Sequence, residues 1–332
     1  MKKTGSKIAL SATVALALVV AGCSATRGGA DAKYPTKQVE YVVPFAAGGG
    51  TDLVARAVAE YLSKEWGKPV TVVNKPGGGG AVGAQAALKQ SAADGYTALA
   101  NNVSSVSMLN AGMVDPPVKI EDHVLVARVV KDPLAFAVKA DAPWKDFKEF
   151  NEWVKNNPEQ LTWTSVGPSG ISAFAVAEWL DAIGVDFKKT RMVTTTGAAD
   201  SMPKVAGGHA VLAVHSINEV YSMAASGKVK LLAVQSDKRS PYFPDVPTVK
   251  EFGITMSAEW WTGISLPVGT PESVVKKWEE ATAKMVKDQA FLDKLENINV
   301  EASYLNSADF TQFVKDETKY WTELATKMGI RK

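Results

Sequence analysis

The sequence predicts an α/β protein whose two domains share one ligand, and three observations carry that expectation. The first is a strand that breaks into a glycine turn and reopens as a helix, in Tyr41-Val42-Val43-Pro44-Phe45-Ala46-Ala47-Gly48-Gly49-Gly50-Thr51-Asp52-Leu53. The second is a repeat of that pattern, Leu161-Thr162-Trp163-Thr164-Ser165 followed by Val166-Gly167-Pro168-Ser169-Gly170 and a new apolar helix. The third is length, because about 300 residues remain beyond an export leader, enough for two domains of ordinary size.

In the first motif, Val39, Tyr41, Val42 and Val43 are β-branched or aromatic, and Pro44 removes the amide donor that a longer central strand needs. Gly48, Gly49 and Gly50 permit a turn closed to side chains. Thr51 or Asp52 is expected to cap a helix with Leu53, Val54, Ala57, Val58, Tyr61 and Leu62 on its apolar face. Such a turn points backbone N–H groups outward at the positive end of a helix dipole, which suits an anion; it also serves as a plain connection in an α/β domain. In the repeat, a second helix N-terminus is aimed so that both domains can address one ligand.

The leader precedes all of this. Lys2, Lys3 and Lys7 come before an apolar run at 8–20 that is too short to span a membrane comfortably, and Val20-Ala21-Gly22-Cys23 follows. Residues 1–22 read as an export signal. They also resemble a lipoprotein lipobox, which implies cleavage before Cys23 and lipid on that thiol; the alternative is an incidental cysteine in a leader. Cys23 is the only cysteine, so neither an internal disulfide nor a thiolate metal cluster is expected. Residues 23–33 are mostly small and polar, as in a flexible tether. Losing the three leader lysines takes the formal charge from +2 to −1. No basic stripe interleaved with aromatics appears, so no nucleic-acid partner is expected. No later segment has eighteen unbroken apolar residues, so no membrane-spanning helix is expected beyond the leader.

In chain order, Val70-Thr71-Val72-Val73 is the next strand, followed by Pro76, the run Gly77-Gly78-Gly79-Gly80 and an alanine-rich helix at 81–91. Gly78, Gly80 and Gly83 match G-x-G-x-x-G spacing. Pro76 interrupts the run off the strand and Asp94 falls too early for a ribose contact, so a packing or ligand-wall loop is expected in place of a dinucleotide site. A strand at 97–100 leads into Asn101-Asn102-Val103-Ser104-Ser105. Ligands bind outside the carboxyl ends of strands, which makes Asn102 and Ser104 candidates, the alternative being that they cap the next helical segment.

Strands at 124–130 and 135–138 flank Lys131-Asp132-Pro133, a natural crossing between domains. A helix at 144–156 buries Phe147, Phe150 and Trp153, and the helix after the repeated motif carries Phe174, Val176, Ala177, Leu180 and Ile183. Beyond Gly197 come a helix through Met202, strands at 210–214 and 229–234, a proline-held segment at 243–248 and a returning strand at 259–267. From 271 onward only helices are expected, with Trp278 and Trp321 as packing residues. His123, His209 and His215 are the only histidines, with no H-E-x-x-H and no G-x-S-x-G. Catalysis therefore finds little support, and an exported hydrolase acting on a small carboxylate or ester is the rival reading. No cofactor or metal site is expected.

Six collinear segments then resemble one family: Val43-Pro44-Phe45-Ala46-Ala47-Gly48-Gly49-Gly50-Thr51-Asp52, Val73-Asn74-Lys75-Pro76-Gly77, Asp94-Gly95-Tyr96-Thr97, Gly227-Lys228-Val229-Lys230-Leu231-Leu232-Ala233-Val234, Pro244-Asp245-Val246-Pro247-Thr248 and Leu266-Pro267-Val268-Gly269-Thr270-Pro271. The chain resembles the extracytoplasmic substrate receptors of tripartite tricarboxylate transporters, also called Bug-type or tricarboxylate-receptor proteins.

The resemblance implies an α/β, bilobed periplasmic-binding-protein fold of type II, two mixed sheets flanked by helices with a hinge between. Lobe 1 would comprise 34–131 and 258–332, and lobe 2 132–257. It implies a ligand carboxylate held by Phe45, Ala47, Gly48, Gly50 and Thr51 from lobe 1 and by Ser169 and Gly170 from lobe 2, with Asn102 and Thr196 at the sides. The implied protein is a monomeric solute-binding lipoprotein and not an enzyme. It would be exported and anchored in the cell envelope through Cys23, delivering a small organic carboxylate to transporter membrane subunits. Two positions depart from the family, Thr196 where an aromatic residue is common and Val211 where an aspartate is common, both in the second lobe's ligand wall.

Two helix termini of about half a positive charge each can offset one carboxylate without an arginine. Arg191 is open between partner of a second carboxylate and solvated surface charge. Asp52 is expected to organise its loop, since a carboxylate beside a bound anion repels it.

Overall fold

The computed structural model describes residues 34–332, so the leader at 1–22, Cys23 and the tether at 23–33 lie outside the described residues. The strands are β1 (Val39–Val43), β2 (Val70–Asn74), β3 (Thr97–Asn102), β4 (His123–Asp132), β5 (Leu134–Lys139), β6 (Thr162–Ser165), β7 (Arg191–Thr194), β8 (Ala213–Ser216), β9 (Val229–Gln235), β10 (Trp260–Pro267) and β11 (Glu301–Leu305). The helices are α1 (Gly50–Trp66), α2 (Ala81–Leu88), α3 (Leu109–Gly112), α4 (Phe147–Asn156), α5 (Ile171–Ala182), α6 (Ala198–Ala206), α7 (Ile217–Ala225), α8 (Glu272–Met285), α9 (Gln289–Asn297) and α10 (Ser307–Met328).

β1 is apolar on both faces. Val39, Tyr41 and Val43 enter the main core, while Val42 joins a smaller cluster with Ala84, Leu88, Leu99 and Leu109. Such strands take central places with parallel neighbours, and β1 pairs in parallel with β2 and β3. The first sheet has the order β11-β4-β10-β3-β1-β2, with β10 returning from far along the chain to insert antiparallel between β3 and β4.

The second lobe is built on β5, whose side chains alternate with the period of two expected of a strand. Leu134, Phe136 and Val138 face the aromatic cluster of Phe147, Phe150 and Trp179, whereas Ala135 and Ala137 face Met202, Val205, Ile217 and Val234. Phe136 meets Trp179 edge-on at 5.3 Å and Phe150 stacks on it at 5.5 Å. Burying a phenylalanine side chain of this kind contributes roughly 1.5–3 kcal/mol. β8 and β9 flank β5 antiparallel, β6 and β7 pair in parallel, and one bridge between Trp163 and Leu212 joins the two groups.

Both crossings between the sheets are held by a buried carboxylate. Beside Pro133, Asp132 accepts the Asn218 N–H at 2.8 Å. At the return, Glu178 of α5 accepts Ser257 N–H at 2.8 Å, Ala258 N–H at 3.3 Å and the Tyr320 hydroxyl of α10 at 2.6 Å. Burial raises the pKa of both acids. Trp321 of α10 meets Phe174 of α5 edge-on at 5.7 Å, so the last helix rests against the second lobe.

Several elements differ from expectation. α1 begins at Gly50 with Gly49 at its N-cap, so neither Thr51 nor Asp52 is the capping residue. β3 extends to Asn102 and is followed by a π-helical turn at Ser104–Met108, and α2 ends at Leu88. β8 begins three residues later than the apolar run at 210–214, because an unbroken apolar run has no alternation to mark its ends. β11 lies where only helices were expected; it is a half-buried edge strand without the contrast of a core strand.

Candidate ligand cavity between the lobes

The turn after β1 is organised by Asp52. Its Oδ2 accepts from Gly48 N–H and Arg56 Nε, both at 2.9 Å, and its Oδ1 from Arg56 Nη2 at 3.0 Å and Asn74 Nδ2 at 2.9 Å. Burial acts to raise the Asp52 pKa, but the bonds from Arg56, Gly48 and Asn74 outweigh it and hold the carboxyl below its usual value. Gly48 has φ +83°, a left-handed conformation that favours glycine.

At the carboxyl end of β3, Asn102 does two things at once. Its Oδ1 accepts from Ser105 N–H at 3.0 Å, capping the next turn, while its Nδ2 donates to Thr51 Oγ1 at 3.1 Å. Ser104 reaches across the cleft, where its Oγ accepts the Ile171 N–H at the start of α5 at 3.0 Å. In the second turn, Ser165 Oγ and Gly170 N–H both donate to Gly167 O, at 2.8 and 3.0 Å. The first turn of α5 carries no acid.

These elements enclose a cavity with Phe45, Thr51, Asn102, Ser104 and Trp260 on one wall and Ile171, Ser172, Ala198, His215 and Glu219 on the other. The starts of α1, α5 and α6 all reach it. The space open to the centre of a water molecule is about 40 Å³, room for a few waters, so a larger ligand requires the lobes to part. Its ionisable lining residues are His215 and Glu219; among the described residues no lysine or arginine lines it.

Glu219 joins the lobes. Its Oε1 accepts the Gly50 N–H at 3.2 Å, and its Oε2 lies 3.2 Å from His215 Nδ1. His215 Nε2 lies 2.8 Å from Ser201 Oγ. Burial acts to raise the Glu219 pKa, but hydrogen bonds from His215, Gly50 and Ser216 outweigh it, holding the carboxyl below its usual value.

Of the residues singled out in the sequence, Phe45, Thr51, Asn102 and Ser104 line the cavity. Ala47, Gly48 and Thr196 are exposed outside its lining, and Thr196 is replaced there by Gly197, Ala198 and Ala199. Gly50 lies beneath lobe 2, where an added Cβ would come within 2.9 Å of Asn218 Nδ2 and 3.0 Å of Glu219 Cγ. Ser169 and Gly170 stand behind the lining: Ser169 packs against Gly79 and Gly112, and Gly170 is the N-cap of α5. Gly80, in the second glycine run, packs against Ser105 and Phe45, as a packing loop does. Arg191 is exposed at the start of β7.

His215, Glu219, Trp260 and the start of α6 escaped the sequence reading as site residues. The four-residue interval from His215 to Glu219, a pairing distance where a helix begins, was the available signal for the first two.

Comparison with known proteins places the chain in context. Residues 54–330 match the sequence profile described as tripartite tricarboxylate transporter family receptor. A protein of Cupriavidus necator, "UPF0065 protein in gbd 5'region", is 31% identical over 324 residues, 97% of each chain. Among solved structures, the periplasmic binding protein BugD is 30% identical with a TM-score of 0.84, covering 90% of this chain and 100% of that one. MatC from Rhodopseudomonas palustris with bound malate is 25% identical with a TM-score of 0.80, covering 88% and 100%.

Proposed function

The chain belongs to the tripartite tricarboxylate transporter receptor family, solute-binding receptors with a bilobed periplasmic-binding-protein fold, and from that premise we propose how it works. It captures a small organic carboxylate in the cavity between the lobes, closes on it and hands it to the membrane subunits of a tripartite transporter. The observation that carries this reading is the convergence of three helix starts on one cavity that has no lysine or arginine among its described lining residues. Helix N-termini offer oriented N–H donors and partial positive charge, which is what a carboxylate needs in a site without such cations. The malate bound to MatC supports the chemical class.

In this reading Phe45, Thr51 and Asn102 touch the ligand directly. Gly48 and Gly50 shape the backbone that lets lobe 2 approach, Ser169 and Gly170 set the start of α5, and Ala47 and Thr196 flank the entrance. Lobe 1 comprises 34–131 and 258–332, lobe 2 comprises 132–257, and the hinge lies at the two crossings. The receptor works as a monomer without catalysis, exported and held at the membrane by lipid on Cys23.

The test is mass spectrometry of the small molecule released from the purified chain, followed by a thermal-shift screen of organic acids. A bound acid at a hundred times its Kd stabilises the fold by about 2.7 kcal/mol. A released ligand without a carboxyl group, together with no shift from any acid, contradicts the reading.

A further inference from the structure

Two hydrogen bonds made by cavity-lining side chains cross from one lobe to the other. Ser104 Oγ accepts the Ile171 N–H at 3.0 Å, a neutral tie, and Glu219 Oε1 accepts the Gly50 N–H at 3.2 Å, a charged one. Hydrogen bonds with an ionised partner are roughly twice as strong as neutral ones, and the positive end of α1 adds to the attraction for a carboxylate. Glu219 therefore does at the start of α1, from within the protein, what a bound anion would do there.

The Glu219 carboxylate is aimed from two sides. Behind it runs a chain of side chains, all from lobe 2: Glu219 Oε2 lies 3.2 Å from His215 Nδ1, His215 Nε2 lies 2.8 Å from Ser201 Oγ, and Ser201 Oγ is hydrogen-bonded to Thr164 Oγ1. Either protonation state of His215 keeps this chain whole, because Nδ1–H donates to the carboxylate in both and the Ser201 hydroxyl changes from donor to acceptor at Nε2. At the start of α7, Asp132 beside the hinge accepts the Asn218 N–H at 2.8 Å and fixes the turn from which Glu219 projects. These ties persist when the lobes part, and the bond to Gly50 does not.

That bond belongs to a shut cleft. The cavity enclosed with it has room for a few waters, so a larger ligand parts the lobes. At 3.2 Å the bond already stands at the long end of the hydrogen-bond range, and a small parting breaks it. Asn218 Nδ2 marks the same contact as reversible: it is buried, a Cβ on Gly50 would come within 2.9 Å of it, and it has no hydrogen-bond partner among the described residues. Leaving a buried donor unpaired is costly, and opening returns it to water. The shut form is thus favoured by a charged bond and opposed by an orphaned donor, the balance of a catch that releases.

We propose that Glu219 and Gly50 form a latch that shuts the receptor against its own ligand, so that the ligand competes with a contact inside the protein. The apparent affinity of a site is reduced by the fraction of molecules in which it is accessible, and the latch sets that fraction. Its effect is the same for every ligand that fits the cleft, so it tunes affinity without choosing among ligands. The inference goes beyond carboxylate capture and rests only on the closure of two lobes over the cavity.

The experiment is small-angle X-ray scattering of the purified chain, stripped of bound small molecules by unfolding and refolding, beside Glu219→Ala, Glu219→Gln and Gly50→Val. Gly50→Val supplies the open reference, since its side chain keeps lobe 2 from seating on α1. The native chain is expected to have a smaller radius of gyration than Gly50→Val, Glu219→Ala to match Gly50→Val, and Glu219→Gln, which keeps an uncharged acceptor for the Gly50 N–H, to fall between. A native chain as expanded as Gly50→Val, or a Glu219→Ala chain as compact as the native one, overturns the latch. Should Glu219→Ala fail to fold, Glu219→Gln decides by the same comparison, a radius equal to the native one overturning the latch. These comparisons need no ligand, so they stand apart from the test of carboxylate capture.

Calorimetric titration with succinate, glutarate and L-glutamate gives a second readout. Glu219→Ala is expected to lower Tm yet to bind whichever of these acids the native chain binds about three- to tenfold more tightly. A side chain with a merely structural role would lower Tm and affinity together, and that outcome overturns the proposal. Where none of the three acids binds, the scattering comparison alone decides.

Discussion

The two strand-turn-helix motifs share a plan but are secured by different chemistry. In lobe 1 the turn is tied by ionised groups, with Asp52 holding Gly48, Arg56 and Asn74 and Glu219 receiving the Gly50 N–H. In lobe 2 it is tied by neutral ones, Ser165 to Gly167 O and Ser104 to the Ile171 N–H. Hydrogen bonds to charged groups contribute about 1.5–3 kcal/mol each, neutral ones about 0.5–1.5. One motif has its helix charge matched within the protein, while the other keeps its helix start free of acids.

Substitution at the two turns should break the comparison most visibly. Gly50→Val drives a branched side chain into Asn218 and Glu219, so the lobes cannot meet. Calorimetric titration should show affinity falling at least 100-fold, about 3 kcal/mol, with the circular dichroism of a folded protein retained. Gly167→Ala in lobe 2 has open space around the new Cβ and only its φ of +127° to strain. It should lower stability by about 1–2 kcal/mol and affinity by no more than a few-fold; a loss like that of Gly50→Val would remove the asymmetry.

The support behind lobe 1 comes next. Glu317 accepts from Ser107 Oγ at 2.5 Å and from Trp261 Nε1 at 3.0 Å, anchoring the π-helical turn that carries Ser104. Burial pushes its pKa up to about 7. A carboxyl whose folded pKa is raised contributes stability that is fully present below its unfolded pKa and is lost as pH rises through the folded value. Between pH 4.5 and 7 that loss is on the order of 2–3 kcal/mol. Glu317→Gln should therefore raise Tm relative to the native chain at pH 8 but not at pH 4.5, and a difference independent of pH would count against the buried charge.

Two smaller effects sharpen the contrast between charged and neutral ties. Urea unfolding should show Asp52→Ala costing about 2 kcal/mol and Ser165→Ala about 1 kcal/mol; the reverse order would refute the division of roles. Ser104→Ala, which leaves the Ile171 N–H unpaired across the cleft, should weaken ligand binding about five-fold, near 1 kcal/mol, with little change in Tm.

The lobe 1 motif was legible because β-branched residues, a proline and three glycines mark its boundaries in a few positions. Lobe 2 was harder to read at the same scale. Ala210-Val211-Leu212-Ala213-Val214 is apolar without alternation, so the strand's true position, which carries His215 to the cavity, could not be fixed. α6 lies where the sequence placed a helix after Gly197, but nothing in its composition showed that its first residues would line the cavity. Glu219 is a first-turn acid of α7, a helix that the sequence reading did not place, and only the approach of Gly50 from the other lobe makes it part of the cavity. Contacts between lobes have no local period, which is why Phe45, Thr51 and Asn102 were visible and their counterparts across the cleft were not.

The capture of a carboxylate by helix starts is tested by one titration: the affinity of the purified chain for the acid it releases and for the same compound with that carboxylate converted to an amide. Helix termini that hold a negative charge should bind the acid at least tenfold more tightly than the amide, a difference of about 1.4 kcal/mol or more. Equal affinity for the two would contradict it.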